Sequence, residues 1–449
     1  MKKTMVAALV LLAAASGFAG EGRNFETWWN GKYATGNWFG VRDTLVEHGF
    51  TLGAEWKANF LWNVDGGLQQ RFGYDDEFKF RLNIDAAKLT GWEALDGLTF
   101  YSDVRYRGGA GVNKWVGATG NFAPSTFQGG RLWRFQNAYA TYTTPELFGV
   151  KQLLTVSGGW QNPTDHFITQ PLNKFFVNNT FNSGRGLSAN GIPWGGSYGA
   201  WGGYLKVKPV DWYYAQGGLY LAIPQGTNTN NHGLDFAGYA PNPNLNGLYF
   251  LGETGVTPKI GPSKLPGRYA AGFIYFGVEN TSFFGQKYDQ KVAVYWQADQ
   301  QLFREPSPEE PAPLGKGPSD DKKTVVPKAK LSDQGLYFFS LINFAPKFNN
   351  NVPFYFHTGL VYKGLIPSRD QDQAGIGFAY GNYSAYKQIA DENAGRTIQT
   401  YEGVLEFDYR VQINKWAYFQ PTLQYIIQPG GTGITQNATV LGFQTGVTF

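Results

Sequence analysis

The 449-residue chain carries 38 Lys plus Arg against 34 Asp plus Glu, no cysteine, 59 glycines and aromatic residues at 17%. So small a net charge points away from a nucleic-acid binder, and the lack of cysteine excludes a disulfide framework and a thiolate metal site. With 2 methionines, so aromatic a composition is unusual for a soluble core, whereas a membrane β-barrel needs aromatics for its girdles and glycines for turns and close lumen packing.

At the start of the chain, Lys2 and Lys3 precede the apolar run MVAALVLLAAA, and SGFAG follows with Gly17 and Ala19 at the positions a signal peptidase reads. The pattern predicts a signal peptide over residues 1–19, too short to span a bilayer. Removing the two leader lysines from 38 leaves 36 basic against 34 acidic residues, a formal charge of +2. No later apolar stretch reaches the roughly 18 residues of a membrane helix. The choice therefore falls between a secreted all-β protein and an outer-membrane barrel.

Residues 20–50 read as an N-terminal periplasmic segment with one short helix in GNWFGVRDTLVEHGF. Asn37 is the predicted N-cap, Trp38, Val41, Leu45 and Val46 the apolar stripe, and Gly49 the stop. From residue 51 the period changes to two. EFKFRLNIDA sets Phe78, Phe80, Leu82 and Ile84 against Glu77, Lys79, Arg81, Asn83 and Asp85. LTFYSDVRYR sets Leu98, Phe100, Val104 and Tyr106 against Thr99, Tyr101, Asp103, Arg105 and Arg107. In RLWRFQNAYATY, Arg134 and Gln136 face inward beside outward Trp133 and Phe135, with Asn137 out of pattern on the apolar side. In GGWQNPTDHFI, Trp160, Asp165 and His166 close a strand in a Gly- and Pro-bearing segment that can fold into a channel; for Trp160 a place in an aromatic girdle fits equally.

The alternation continues through VAVYWQAD, is interrupted by a Pro-rich, mixed-charge insertion at 305–330 that reads as disordered, and resumes at VPFYFHTGLVYKG. LEFDYRVQ sets Leu405, Phe407, Tyr409 and Val411 against Glu406, Asp408, Arg410 and Gln412, and the final LGFQTGVTF sets Leu441, Phe443, Val447 and Phe449 against small polar residues. A sandwich with solvated outer faces gives the same alternation; the leader, the aromatic load and Phe449 favour an all-β, transmembrane antiparallel β-barrel over residues 51–449. Counting strands back from a periplasmic Phe449 puts INKW and LIPSRDQD on the periplasmic side, the loops at 383–400 and IIQPGGTGITQNA outside, and the 305–330 insertion on the periplasmic side.

The stretches TGNWFGVRDTLVEHGFTL, GGWQNPTDHFITQPLNKFFVNNTF, GLIPSRDQDQAGIGFAY, YEGVLEFDYRVQINKWAYFQPTLQYIIQPGG and VLGFQTGVTF together resemble the OprB-type carbohydrate-selective porins, from about Tyr33 to Phe449. The resemblance implies sixteen antiparallel strands, the N-terminal helix at the periplasmic end and passive diffusion of small sugars across the bacterial outer membrane. It also implies that Phe449 is the signal read by the barrel-assembly machinery. The family's Asp-Trp-Gly-Gly run appears here as Asn37, Trp38, Phe39 and Gly40, which leaves the solute open.

A sugar pore needs donors and acceptors that replace water without holding the solute. The candidate pathway residues are Lys79, Arg81, Asp85, Asp103, Arg105, Arg107, Arg134, Trp160, Glu406, Asp408 and Arg410. Charged groups also line a water-filled lumen without any solute role. A general or anion-selective porin is the alternative, and the near balance of sign favours sugars. A barrel hydrolase is the remote one: His48, His166, His232 and His357 are scattered, with no metal-ligand pair and no G-x-S-x-G elbow. No cofactor is implied. The partners implied are small sugars, outer-membrane lipid and the assembly machinery, with the oligomeric state open between monomer and homotrimer.

Overall fold

The structure is a computed structural model that describes residues 25–127, 132–181, 185–191, 199–222, 232–234, 236, 247–306 and 332–449. The leader at 1–19 and all but the first two residues of the 305–330 insertion lie outside the described residues.

Alternating segments pair into β1 (Phe50–Asp65), β2 (Phe72–Asp85), β3 (Leu98–Ala110), β4 (Leu132–Thr143), β5 (Leu154–Gln161), β6 (Ala200–Val210), β7 (Tyr213–Ala222) and β8 (Gly247–Val256). They continue as β9 (Leu265–Phe276), β10 (Lys291–Arg304), β11 (Gly335–Phe344), β12 (Phe354–Lys363), β13 (Gln373–Asn382), β14 (Tyr401–Asn414), β15 (Ala417–Ile427) and β16 (Ala438–Thr448). Each is antiparallel to the next, and β16 closes on β1 with Phe443 opposite Phe60 and Thr448 opposite Glu55. Closure leaves no unpaired edge, the condition for crossing lipid with strands. Outward residues such as Phe80, Trp133, Trp296, Phe407 and Leu441 are exposed, while Glu406, Gln420, Gln424 and Gln444 are buried on the inner face.

The two-residue turns at 211–212 and 415–416 lie at the end where β16 finishes, and the long connection at 162–199 lies at the other. By the rule that barrel turns are short on the periplasmic side, the end carrying Phe449 is periplasmic. The strands that flank the insertion meet at this same end, where Glu305 N donates to Gln334 O at 3.1 Å.

The N-terminal segment wraps across these strand ends. The helix α1 (Phe25–Trp29) sets Trp28 and Trp29 against Trp416 of the 415–416 turn, with ring centroids 5.0 and 6.1 Å away. The second helix, α2 (Val41–Glu47), starts three residues later than expected from an Asn37 cap, because Phe39 and Gly40 have φ of 60° and 93° and break the helical path. Asn37 instead donates to Asp43 Oδ2 at 2.5 Å. The expected apolar stripe is split: Val41 and Val46 are exposed, Trp38 and Leu45 are half-buried, and Arg42 is the buried residue of the helix.

In β4 the misfit at Asn137 is a β-bulge. Asp103 pairs with Asn137 and Val104 with Phe135, so Gln136 is the extra residue and Asn137 turns inward. Its amide donates to Asp103 Oδ1 at 2.8 Å and Asp165 Oδ2 at 3.0 Å.

The apolar core lies inside the barrel. Two connections from the outer end, at 111–127 and at 162–181 with 185–191, fold inward and bring Phe122, Phe167, Phe175, Phe176 and Phe181 against Phe339, Tyr355 and other wall residues. The inner face of β13 is built from glycines to admit them. A Cβ on Gly375 would lie 2.4 Å from the Phe175 ring, and one on Gly377 2.7 Å from that of Phe181.

Candidate solute pathway

The inward segment at 162–181 decides which wall charges reach the open lumen. Its tip crosses to β14, where the Glu406 carboxylate accepts from the backbone N–H groups of Val177 and Asn178, each at 3.0 Å. Asn178 Nδ2 donates to Gln424 Oε1 at 2.9 Å, and Gln420 Nε2 donates to Phe175 O at 2.8 Å. On the next strands Gln170 bridges Ser340 O at 2.9 Å and the His357 ring at 3.0 Å. The 111–127 loop is held the same way: Glu402 accepts from Thr119 N at 3.0 Å and Gly430 N at 2.8 Å. Buried carboxylates with several donors are well satisfied, so these acids clamp the plug and do not line open water.

Several sequence-derived candidates therefore change place. Glu406 is fully buried and Asp408 nearly so, both behind the plug. Asp85 ends β2 and caps the helix α3 (Ala86–Thr90) by accepting from Lys88 N at 3.1 Å, which puts it at the periplasmic turn. Trp160 points outward, since Ser157 and Gln161 on the other parity bond to each other inside at 3.0 Å. Its ring packs edge-on against Trp201 and Phe236, at 5.8 and 5.3 Å, in the wall's outer layer. Arg134 lies opposite Arg105 in the β3–β4 pairing and is buried.

The remaining candidates form one lattice along β1 to β3. Lys79 Nζ is 2.8 Å from Asp103, Arg105 is 3.5 Å from Asp103 and 3.7 Å from Glu77, and Arg107 is 2.7 Å from Glu77. Glu55 holds Lys57 at 2.7 Å and Arg81 at 3.5 Å. Arg410 completes the set from β14, with its guanidinium 4.4 Å from the Tyr418 ring and its Nε donating to Gln420 Oε1 at 2.6 Å. The cations face the lumen more than their partners do: the Arg81 side chain is 40% exposed against 24% for Glu55, and that of Lys79 17% against 0% for Asp103. Tyr101 and Tyr139 pack together beside the lattice at 5.3 Å, and Tyr139 meets the His166 ring edge-on. Burial holds His166, on the inward segment, below the ordinary imidazole value, with the Lys206 ammonium acting in the same sense.

Sequence reasoning had missed Glu55, Lys57 and Glu77 as members of this lattice. The signal for Glu55 and Lys57 was present in FTLGAEWKANFLW, where they share one strand face with Asn59, and Glu77 already stood on the polar face of EFKFRLNIDA beside Lys79 and Arg81. A further cavity of 520 Å³ lies on the turn side of the inward segment, lined by residues of β4 to β9 and their turns and by His166 and Thr169.

Comparison with known proteins places this architecture among relatives. A model of the carbohydrate-selective porin, OprB family, matches residues 69–449. Porin B of Pseudomonas aeruginosa is 26% identical over 465 aligned residues, covering 94% of this chain and 92% of the relative. The putative porin QuiX of Acinetobacter baylyi is 21% identical, covering 93% of each. The high-pH structure of Pseudomonas putida OprB superimposes with a TM-score of 0.78 at 20% identity, over 94% of this chain and all of that one.

Proposed function

The chain belongs to the carbohydrate-selective porin family OprB, and we propose that this outer-membrane channel passes monosaccharides and other small sugars through the ion-pair lattice on β1 to β3. A porin breaks no bond; its task is to replace part of a solute's water and let go. The observation that carries the reading is the fixed row of Lys57, Lys79, Arg81, Arg105 and Arg107, each braced by Glu55, Glu77 or Asp103. Bracing leaves each guanidinium spare N–H donors aimed by its partner, and sugar hydroxyls accept from such donors and donate to the carboxylate edges. Because the donors are already ordered, little entropy is lost when a sugar meets them. Tyr101, Tyr139 and Tyr418 supply ring faces for the C–H side of a pyranose. Lys79, Arg81, Arg105, Arg107 and Arg410 are the solute-touching residues in this reading, with Asp103 positioning them.

Family resemblance also supports Phe449, at the end of the closing strand, as the residue that the barrel-assembly machinery reads.

Liposome swelling tests the channel reading. Monosaccharides enter faster than zwitterionic amino acids of similar size; equal rates would remove sugar selectivity. In planar bilayers, Arg81→Glu or Arg105→Glu shifts conductance and ion preference, and a set of reversals that changed neither would place the pathway elsewhere.

A further inference from the structure

The 520 Å³ cavity under the inward segment is separate from the lattice on β1 to β3, and it falls in the usual size range of small-molecule sites, about 300–1,000 Å³. Its charge is lopsided. Glu253 faces it, but that carboxylate is saturated by Tyr214 and Tyr295 hydroxyls at 2.8 Å each, Gln297 at 2.9 Å, Gln216 at 3.1 Å and Ile168 N at 3.2 Å. Arg268 stands 3.5 Å from the same carboxylate and is pinned by the Tyr214 hydroxyl and the Thr169 carbonyl. Asp211, the other acid of the lining, is wholly exposed at the rim, 3.7 Å from Lys208. Lys206 has no carboxylate within ion-pair distance among the described residues; its ammonium lies 4.6 Å from the centre of the Tyr214 ring. A cation with no direct ion-pair partner in a half-enclosed polar pocket attracts an anion; the two cations beside it are paired, Lys208 with Asp211 and Arg268 with Glu253 and Asp299. The neutral lining around it, Thr155 and Gln152 among others, offers hydroxyl and amide groups suited to a polyol.

We propose that this cavity is a second carbohydrate subsite, on the periplasmic side of the plug, that takes monosaccharides bearing a carboxylate. The carboxylate is held by Lys206 and the ring or chain hydroxyls by the neutral lining. The proposal rests on the sugar-channel reading only in that the solute must reach the cavity. It names a solute class that the lattice does not, because Lys57, Lys79, Arg81, Arg105 and Arg107 each have a carboxylate within ion-pair distance, whereas Lys206 has none among the described residues.

Current block in planar bilayers tests it, with gluconate, glucose and acetate as probes. Gluconate blocks at a concentration about tenfold below glucose, as expected for one charge-assisted contact, and acetate does not block. Lys206→Gln removes the tenfold advantage, whereas Lys287→Gln, in an exposed loop beside Glu279, keeps it. Raising salt to about 1 M screens the contact without any variant, and weakens gluconate block while sparing that of glucose. Equal block by gluconate and glucose, block by acetate as strong as by gluconate, or insensitivity to both Lys206→Gln and salt would each overturn the subsite. Glucose entry without a gluconate advantage would sink the subsite and leave the channel reading standing. Lys206-dependent gluconate block in a protein that excludes glucose would do the reverse.

Discussion

Glu406 shows how a charged residue in a water-facing pattern can be structural. Its carboxylate satisfies two backbone N–H groups of the plug tip, at Val177 and Asn178, inside a low-dielectric interior. Glu406→Ala leaves both donors unpaired, at a cost of about 1–3 kcal/mol each, enough to release the tip from the wall. Single-channel recordings of this variant are expected to show higher conductance and more open-channel noise, with Glu406→Gln intermediate because it keeps one acceptor oxygen. Traces identical to the parent would mean that the clamp does not set the aperture. The inward face of Glu406 was legible in LEFDYRVQ, since strand parity fixes it. Its partners were not, because Val177 and Asn178 lie 229 and 228 residues away in sequence. Lys79, Arg81, Arg105 and Arg107 were legible for the opposite reason: their partners sit on neighbouring strands of the same alternating pattern. Asp85 had the right parity but stood at the strand's last position, where a helix cap claimed it.

Among elements, the N-terminal segment does the least expected work. Arg42 of α2 reaches across the closing seam, donating to Phe449 O at 3.4 Å and Leu52 O at 3.5 Å, with its guanidinium 3.8 Å from the Tyr33 ring centre and 4.2 Å from that of Trp38. Ala34 N adds a bond to Thr448 O at 2.8 Å, and Phe449 N one to Ala54 O at 2.8 Å. These contacts tie the first strand, the last strand and the preceding segment at one point. Arg42→Ala removes a partly desolvated cation–π pair and two carbonyl contacts, together about 2–4 kcal/mol. The folded band in a heat-shift gel should then melt at a lower temperature, while insertion into membranes proceeds at the parental rate. Phe449→Ala should do the opposite and slow insertion; equal insertion rates for the two variants would argue against a signal role for Phe449. The helix here was foreseen, but its start and buried face were not, because a stripe of Val and Leu argues for packing only when a core lies beside it. At the periplasmic rim of a membrane barrel the apolar neighbour is outside the protein. The bulge at Gln136 was visible only as an irregularity, since a period of two cannot say which residue is extra.

At the scale of the whole molecule, barrel closure and lumen filling are separate constructions. Sixteen strands pair through their own backbones and present an apolar face to lipid, so closure does not require the plug. The plug in turn has its own apolar cluster, centred on Phe175, Phe176 and Phe181, packed into the glycine-lined face of β13. That arrangement was half legible: high Gly and aromatic content pointed to a barrel, but nothing in a period-two pattern says that the aromatics of a loop will build a core inside it. Because Gln161 of β5 pairs with Ala200 of β6, a short Gly/Ser turn can replace residues 163–198 and keep the hairpin. The shortened protein is expected to remain a heat-resistant barrel while its conductance rises several-fold, as pore cross-section sets passage, and sugars and amino acids then enter liposomes at equal rates. Phe176→Ala with Phe181→Ala tests the same separation without changing chain length, opening cavities worth about 3–5 kcal/mol each in the plug. If either protein lost the folded band at the temperature where the parent keeps it, the wall would depend on its filling. Selectivity and stability could not then be tuned independently, and the loop would have to be counted as part of the barrel.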